Sequence, residues 1–141
     1  MIRLEHANLV VAEIEPSLDF LLSAFPHWRV RQKGKSTWYG KQRNWLHVGD
    51  DETYLTFNDS GEGKPRDLTG QSQGLAHLAF EISGIEDLIE RLAQNGYTPR
   101  IALDGHGFRR NVYYLDGNGL EFEFVEYDSD DPAKRNASEE L

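Results

Sequence analysis

The sequence predicts an α+β fold built from two tandem β-α-β-β-β modules, and three observations carry that prediction. The chain repeats itself: Leu4-Glu5-His6, Ile14-Glu15 and Leu21 fall, 71 residues on and without a gap, on Leu75-Ala76-His77, Ile85-Glu86 and Leu92. In each copy one stretch of helical period follows the opening strand, and three strand-like runs follow the helix. Between the copies, Asp59 to Gln73 holds Gly61, Gly63, Pro65 and Gly70 among polar residues, the composition of a loop.

In the first copy, Leu4 to Ala12 reads as a strand and Glu15 to Phe25 as a helix. Pro16 suits its first turn, and Leu18, Leu21, Leu22 and Phe25 recur at helical spacing. Strands are predicted near Trp28 to Gln32, Thr37 to Val48 with a break at Gly40, and Thr53 to Asn58. Breaks fall at Lys33-Gly34-Lys35 and Gly49-Asp50-Asp51. The second copy reads as strand Leu75 to Ile82, helix Ile85 to Gln94 closed by Asn95-Gly96, and strands near Thr98 to Ala102, Arg110 to Leu115 and Leu120 to Tyr127. One domain over 1–128 is expected, with module one at 1–59, a linker at 60–73 and module two at 74–128. The acidic tail, 129–141, lacks periodicity and is expected to be disordered.

Lys and Arg number 15 against 24 Asp and Glu, and the net charge of -9 argues against nucleic acid or an anionic membrane as a partner. There is no cysteine, so any metal site has only imidazole and carboxylate to draw on. No window approaches the ~18 apolar residues of a membrane span, and the N-terminus has no signal-peptide pattern. A cytoplasmic protein is expected.

Side chains alternate along a strand, so parity decides what each one faces. Ala76, Leu78, Phe80 and Ile82 form the apolar, helix-facing set of the strand after the linker, and His77 points the other way. In the first copy Ala7, Leu9 and Val11 form the corresponding set, and His6 lies on the other face with Asn8 and Val10. On the closing strand Leu120, Phe122 and Phe124 face the helix while Glu121 and Glu123 go with the histidines. If the two sheets curve toward each other, these four groups line one concavity. Two imidazoles and a carboxylate suit a divalent cation, matching both an open zinc site and the two-histidine, one-carboxylate triad of non-haem iron.

The doubled module, a histidine near the start of each copy, and the run Tyr114-Leu115-Asp116-Gly117-Asn118-Gly119-Leu120-Glu121-Phe122-Glu123 resemble the vicinal oxygen chelate superfamily. That superfamily includes glyoxalase I, fosfomycin-resistance transferases, extradiol dioxygenases and bleomycin-binding proteins. The resemblance spans Leu4 to Tyr127. It implies a curved, barrel-like mixed sheet around a central cleft, and one divalent metal ion (Zn, Ni, Mn or Fe) held by His6, His77 and Glu123, the glutamate four residues after the glycine of the turn. Glu121 then lies nearer the mouth or behind the ligands, as a catalytic candidate.

In four-ligand members a second carboxylate sits on the last strand of the first module. The matching stretch here, Thr53 to Asn58, puts Tyr54 there, which implies three protein ligands and gives Tyr54 to the substrate. The segment Asp104 to Tyr113 resembles the loop that overhangs the site. His106 is then a candidate acid or base, Asn111 a substrate contact, and Tyr113 both a substrate contact and a catalytic candidate.

By that resemblance the protein is a metal-dependent enzyme acting on a small oxygenated molecule, of lyase, isomerase, transferase or dioxygenase type, and pairs as a homodimer. The rivals are a non-catalytic small-molecule or antibiotic-binding protein of the same fold, and an interaction module with incidental histidines.

Overall fold

The computed structural model describes residues 1–137. The chain forms two compact units, Met1–Lys64 and Pro65–Leu141, divided within the expected linker. The first runs β1 (His6–Val10), α1 (Ile14–Ala24), β2 (Arg29–Trp38), β3 (Lys41–Gly49) and β4 (Tyr54–Asn58). The second runs β5 (Leu78–Glu81), α2 (Ile85–Gln94), β6 (Ile101–His106), β7 (Arg109–Leu115) and β8 (Glu121–Tyr127), followed by α3 (Pro132–Arg135). Each unit is a four-stranded mixed sheet, ordered β1-β4-β3-β2 and β5-β8-β7-β6, with the opening strand parallel to the closing strand and the remaining pairs antiparallel. The class is therefore α+β, with the predicted module order in both copies.

Strand register sorts the side chains. In the first unit Leu46 and Phe57 pair across strands, as do Val48 and Leu55, and all four are buried. Ile14, Phe20, Leu21 and Ala24 of α1 are buried as well. In the second unit Val112 pairs with Phe124 and Tyr114 with Phe122, all fully buried. Helix α2 buries Ile85, Leu88 and Leu92, one stripe at spacings of three and four, and contacts β8. Each such side chain contributes about 1.5–3 kcal/mol of burial, enough to lock register, since a one-residue slip would carry Phe122 and Phe124 to the wrong face.

Three sequence expectations are corrected. The Lys33-Gly34-Lys35 stretch is not a break: β2 runs through it, and the reversal comes at Tyr39-Gly40. Both turn residues have positive φ, 47° and 79°, as a two-residue type I′ hairpin requires. Gly34 serves a close approach instead, since a Cβ there would lie 2.8 Å from Cζ2 of Trp45. The stretch Asp104 to Tyr113 is no overhanging loop but the β6–β7 hairpin, tightened by Gly107 at φ 58°.

The expected disordered tail is ordered as far as residue 137, and residues 138–141 lie outside the described residues. Asp131 caps α3 by accepting from the Ala133 N–H, and Pro132 sits in its first turn. Arg135 then pairs with Glu81 at 2.7 Å and lies over the Tyr127 ring. No helix among the described residues is long and apolar enough to cross a membrane.

Helix α2 is capped from across the unit. Gly84, at its N-cap, has no side chain to offer, and the Glu126 carboxylate of β8 accepts from the N–H groups of Gly84 and Ile85. The Arg110 guanidinium, followed by those two N–H groups, holds the Glu126 carboxyl below its ordinary value of 4.5. A carboxyl depressed by folding stabilises the protein above its unfolded value and loses that contribution as pH falls through the lowered folded value. Glu126→Gln is expected to cost about 1 kcal/mol at pH 7. In urea denaturation the gap from wild type should close as the pH falls below the ordinary carboxyl value of 4.5; a gap constant with pH would remove the charged cap.

Candidate functional site

The polar face of the second unit carries two arginine–glutamate pairs with a histidine between them. Arg100 donates from Nη1 to Oε2 of Glu121 at 2.6 Å, and Arg109 donates from Nη2 to Oε1 of Glu123 at 3.0 Å. Between the carboxylates lies His77, one residue before β5, with Nδ1 3.6 Å from Oε1 of Glu121 and Nε2 3.8 Å from Oε2 of Glu123. Both glutamates are nearly buried, with side chains 7% and 5% exposed, whereas His77 is 34% exposed. Carboxylates so far from water need charged partners, and the arginines supply them.

At 3.6 and 3.8 Å neither approach of His77 is a hydrogen bond. The 3.8 Å separation is close to the roughly 3 to 3.5 Å between neighbouring ligands of a cation bound at about 2.1 Å. By donor chemistry and spacing, His77 and Glu123 fit a divalent cation. Among the described residues, however, no group of three or more His, Asp and Glu side chains is arranged to hold one.

Tyr113 pairs in register with Glu123, and its ring meets His77 edge-on at 5.4 Å. Burial, then the charge and hydrogen bond of Glu123, pushes the Tyr113 hydroxyl up, so it remains a proton donor well above neutral pH. Asn111, on the same face, donates to the Tyr113 hydroxyl at 3.5 Å. His106 ends β6, 3.2 Å from Asp104 of its own strand and well exposed.

The first unit has an equivalent face with different chemistry. His6 pairs with Tyr54 in β4, and the two rings stack at 4.8 Å. On the far strand His47, which sequence reading passed over, stacks with Tyr54 at 4.8 Å. The Tyr54 hydroxyl donates to Glu5 at 2.7 Å, an interaction that raises the phenol and lowers the carboxyl. Burial, followed by the charges of His6 and Arg31, lowers His47. Its signal lay in parity, since His47 alternates with the buried Leu46 and Val48.

Register corrects the expected correspondence of the repeats. Ala79, two residues after His77, pairs with Glu123; Asn8, two residues after His6, pairs with Thr56. Thr56 therefore stands where Glu123 does, and Tyr54 stands in the place of Glu121. The closing strands align two residues away from the sequence estimate because only the hydrogen-bonded ladder shows which residue lies opposite the histidine. Sequence reading also missed Arg100 and Arg109, which have no counterpart in a donor-set pattern.

The doubled mixed sheet with a histidine opening each half defines a class of fold, and comparison with known proteins agrees. The model of the Glyoxalase/Bleomycin resistance protein/Dioxygenase superfamily matches residues 3–124. The chain belongs to this superfamily, that of the vicinal oxygen chelate proteins. It is 30% identical over 103 residues to biphenyl-2,3-diol 1,2-dioxygenase 3 of Rhodococcus globerulus, a match covering 70% of this chain and 53% of that protein, so the chain spans about half of that relative.

Among solved structures, a glyoxylase/bleomycin resistance protein/dioxygenase domain from Frankia sp. EAN1pec aligns with a TM-score of 0.74 at 18% identity, covering 97% of this chain and 99% of that one. The fosfomycin resistance protein FosX of Listeria monocytogenes aligns with a TM-score of 0.64 at 19% identity, covering 88% and 93%. These structural likenesses concern the fold.

The arginine clamps are testable apart from any activity. Arg100→Ala strands the buried Glu121 carboxylate and is expected to destabilise the protein by about 1–3 kcal/mol. Adding Glu121→Gln should recover part of that loss in a double-mutant cycle read by chemical denaturation. Strict additivity would show that the pair does not act as one.

Proposed function

We propose that the protein is a metal-dependent enzyme of the glyoxalase type, acting on a small oxygenated molecule held to a divalent cation. His77 and Glu123 serve as ligands, and His6, the imidazole equivalent to His77 in the first repeat, is the third, supplied by the same chain or by a second copy in a homodimer. The observation that carries this reading is the facing pair of His77 Nε2 and Glu123 Oε2 at 3.8 Å on a nearly buried carboxylate. The FosX structure solved with Mn(II) and sulfate, which aligns with a TM-score of 0.61 at 18% identity, adds support from the same fold. Bound there, a divalent cation supplies Lewis-acid polarisation of a carbonyl, enolate or epoxide oxygen, or chelates two adjacent oxygens.

The chain's own groups do the rest. Tyr113, kept protonated by burial, donates a hydrogen bond toward substrate oxygen, and Asn111 orients its hydroxyl. Glu121, pinned by Arg100, sets its carboxylate 3.6 Å from Nδ1 of His77, on the side of the ring away from Glu123. Tyr54 is the substrate contact of the first repeat. His106, turned to Asp104 on its own hairpin, is a reserve acid or base.

One observation favours a second reading, a non-catalytic small-molecule-binding protein of the same fold: both carboxylates beside His77 already carry an arginine. Metal content decides between them. Elemental analysis of untagged protein is expected to give about one equivalent of Zn, Ni, Mn or Fe per chain, lost in His6→Ala, His77→Ala and Glu123→Ala. A wild type that stays metal-free after titration with these ions would replace the enzyme by the binding protein.

A further inference from the structure

The two repeats share an arginine that the second pairs with a carboxylate and the first leaves without an ion pair among the described residues. Tyr113 of β7 pairs with Ile101, and His47 of β3 pairs with Gln32. The residues just before these partners, Arg100 and Arg31, are therefore repeat equivalents. Arg100 is spent on Glu121. At the place of Glu121 the first unit has Tyr54, and Arg31 lies over that ring, 4.4 Å from its centroid. Among the described residues Arg31 has neither an ion pair nor a hydrogen bond.

Its position is a built one. Register passes from Val30 opposite Val48 to Gln32 opposite His47, so Arg31 is the extra residue of a β-bulge, a device that re-aims a side chain. Where the second unit has Glu123, the first has Thr56. It is only 7% exposed, and its Oγ1 is buried with no hydrogen-bond partner among the described residues. This face thus gathers Arg31, His6 and His47 around Tyr54, with the Glu5 carboxylate hydrogen-bonded to His6 and Tyr54, in a protein whose net charge is -9.

We propose that the polar face of the first unit is an oxyanion-binding site, in which Arg31, His47 and the Thr56 hydroxyl receive the carboxylate or phosphonate group of a small organic anion. The anion takes beside Arg31 the electrostatic place that Glu121 holds beside Arg100. The planar guanidinium fork offers paired donors matched to two oxygens of one such group. The site stands whether or not a metal is bound by His77 and Glu123.

The test is an NMR titration that follows the ring resonances of His47 and Tyr54 with benzoate, phenylphosphonate and the neutral benzyl alcohol. A saturable shift is expected with at least one anion, weakened about tenfold or more in Arg31→Gln, and with benzyl alcohol none. The tighter anion identifies the group. Because Arg31 is exposed, the variant should keep the wild-type melting temperature, and His47→Ala gives a second weakened variant followed through Tyr54. No saturable shift with either anion, or one that Arg31→Gln leaves unchanged, overturns the proposal.

Discussion

A sheet buried on one side gives its strands no choice about the other. Once Phe122, Phe124, Val112 and Tyr114 fill the buried face of the second unit, Glu121, Glu123 and Tyr113 must share the opposite face, because side chains alternate every residue and paired residues across strands point the same way. The first unit obeys the same rule, with Leu46, Val48, Leu55 and Phe57 on one side and His6, His47, Tyr54 and Thr56 on the other. Every functional reading of this protein rests on that partition.

The duplication then explains how one scaffold carries two chemistries. The histidine at the start of the parallel pair and the arginine beside the antiparallel pair occur in both units, but the closing strand differs. Glu121 and Glu123 give the second unit buried negative charge, answered by Arg100 and Arg109. Tyr54 and Thr56 give the first unit neutral hydroxyls and leave Arg31 without an ion pair among the described residues. Two differences on one strand thus divide the repeats into a face of clamped carboxylates and a face whose arginine has no ion pair among the described residues.

Side-chain reach accounts for features that strand alternation does not. Glu126 belongs to β8 yet caps α2, because Gly84 leaves the helix N-terminus without a side chain and a carboxylate from the neighbouring strand completes it. Arg135 reaches back from beyond β8 to Glu81 and Tyr127, and so orders a segment whose composition alone reads as a tail.

The sequence by itself determined the α+β class, the order of elements in both modules, the helix Ile85 to Gln94, and the face on which His6, His77, Glu121 and Glu123 lie. All of these follow from local period and from the repeat, which a single chain displays. Only the tertiary structure decided that Gly34 is a close approach beneath Trp45 and not a turn, that Thr56 and not Tyr54 is the counterpart of Glu123, that Arg100 and Arg109 clamp the glutamates, and that residues 132–135 form a helix. Each of these depends on which residue of one strand lies opposite which residue of another, or on a long side chain reaching across. Ladder register and side-chain reach are set by contacts distant in sequence, where local pattern has no information to offer.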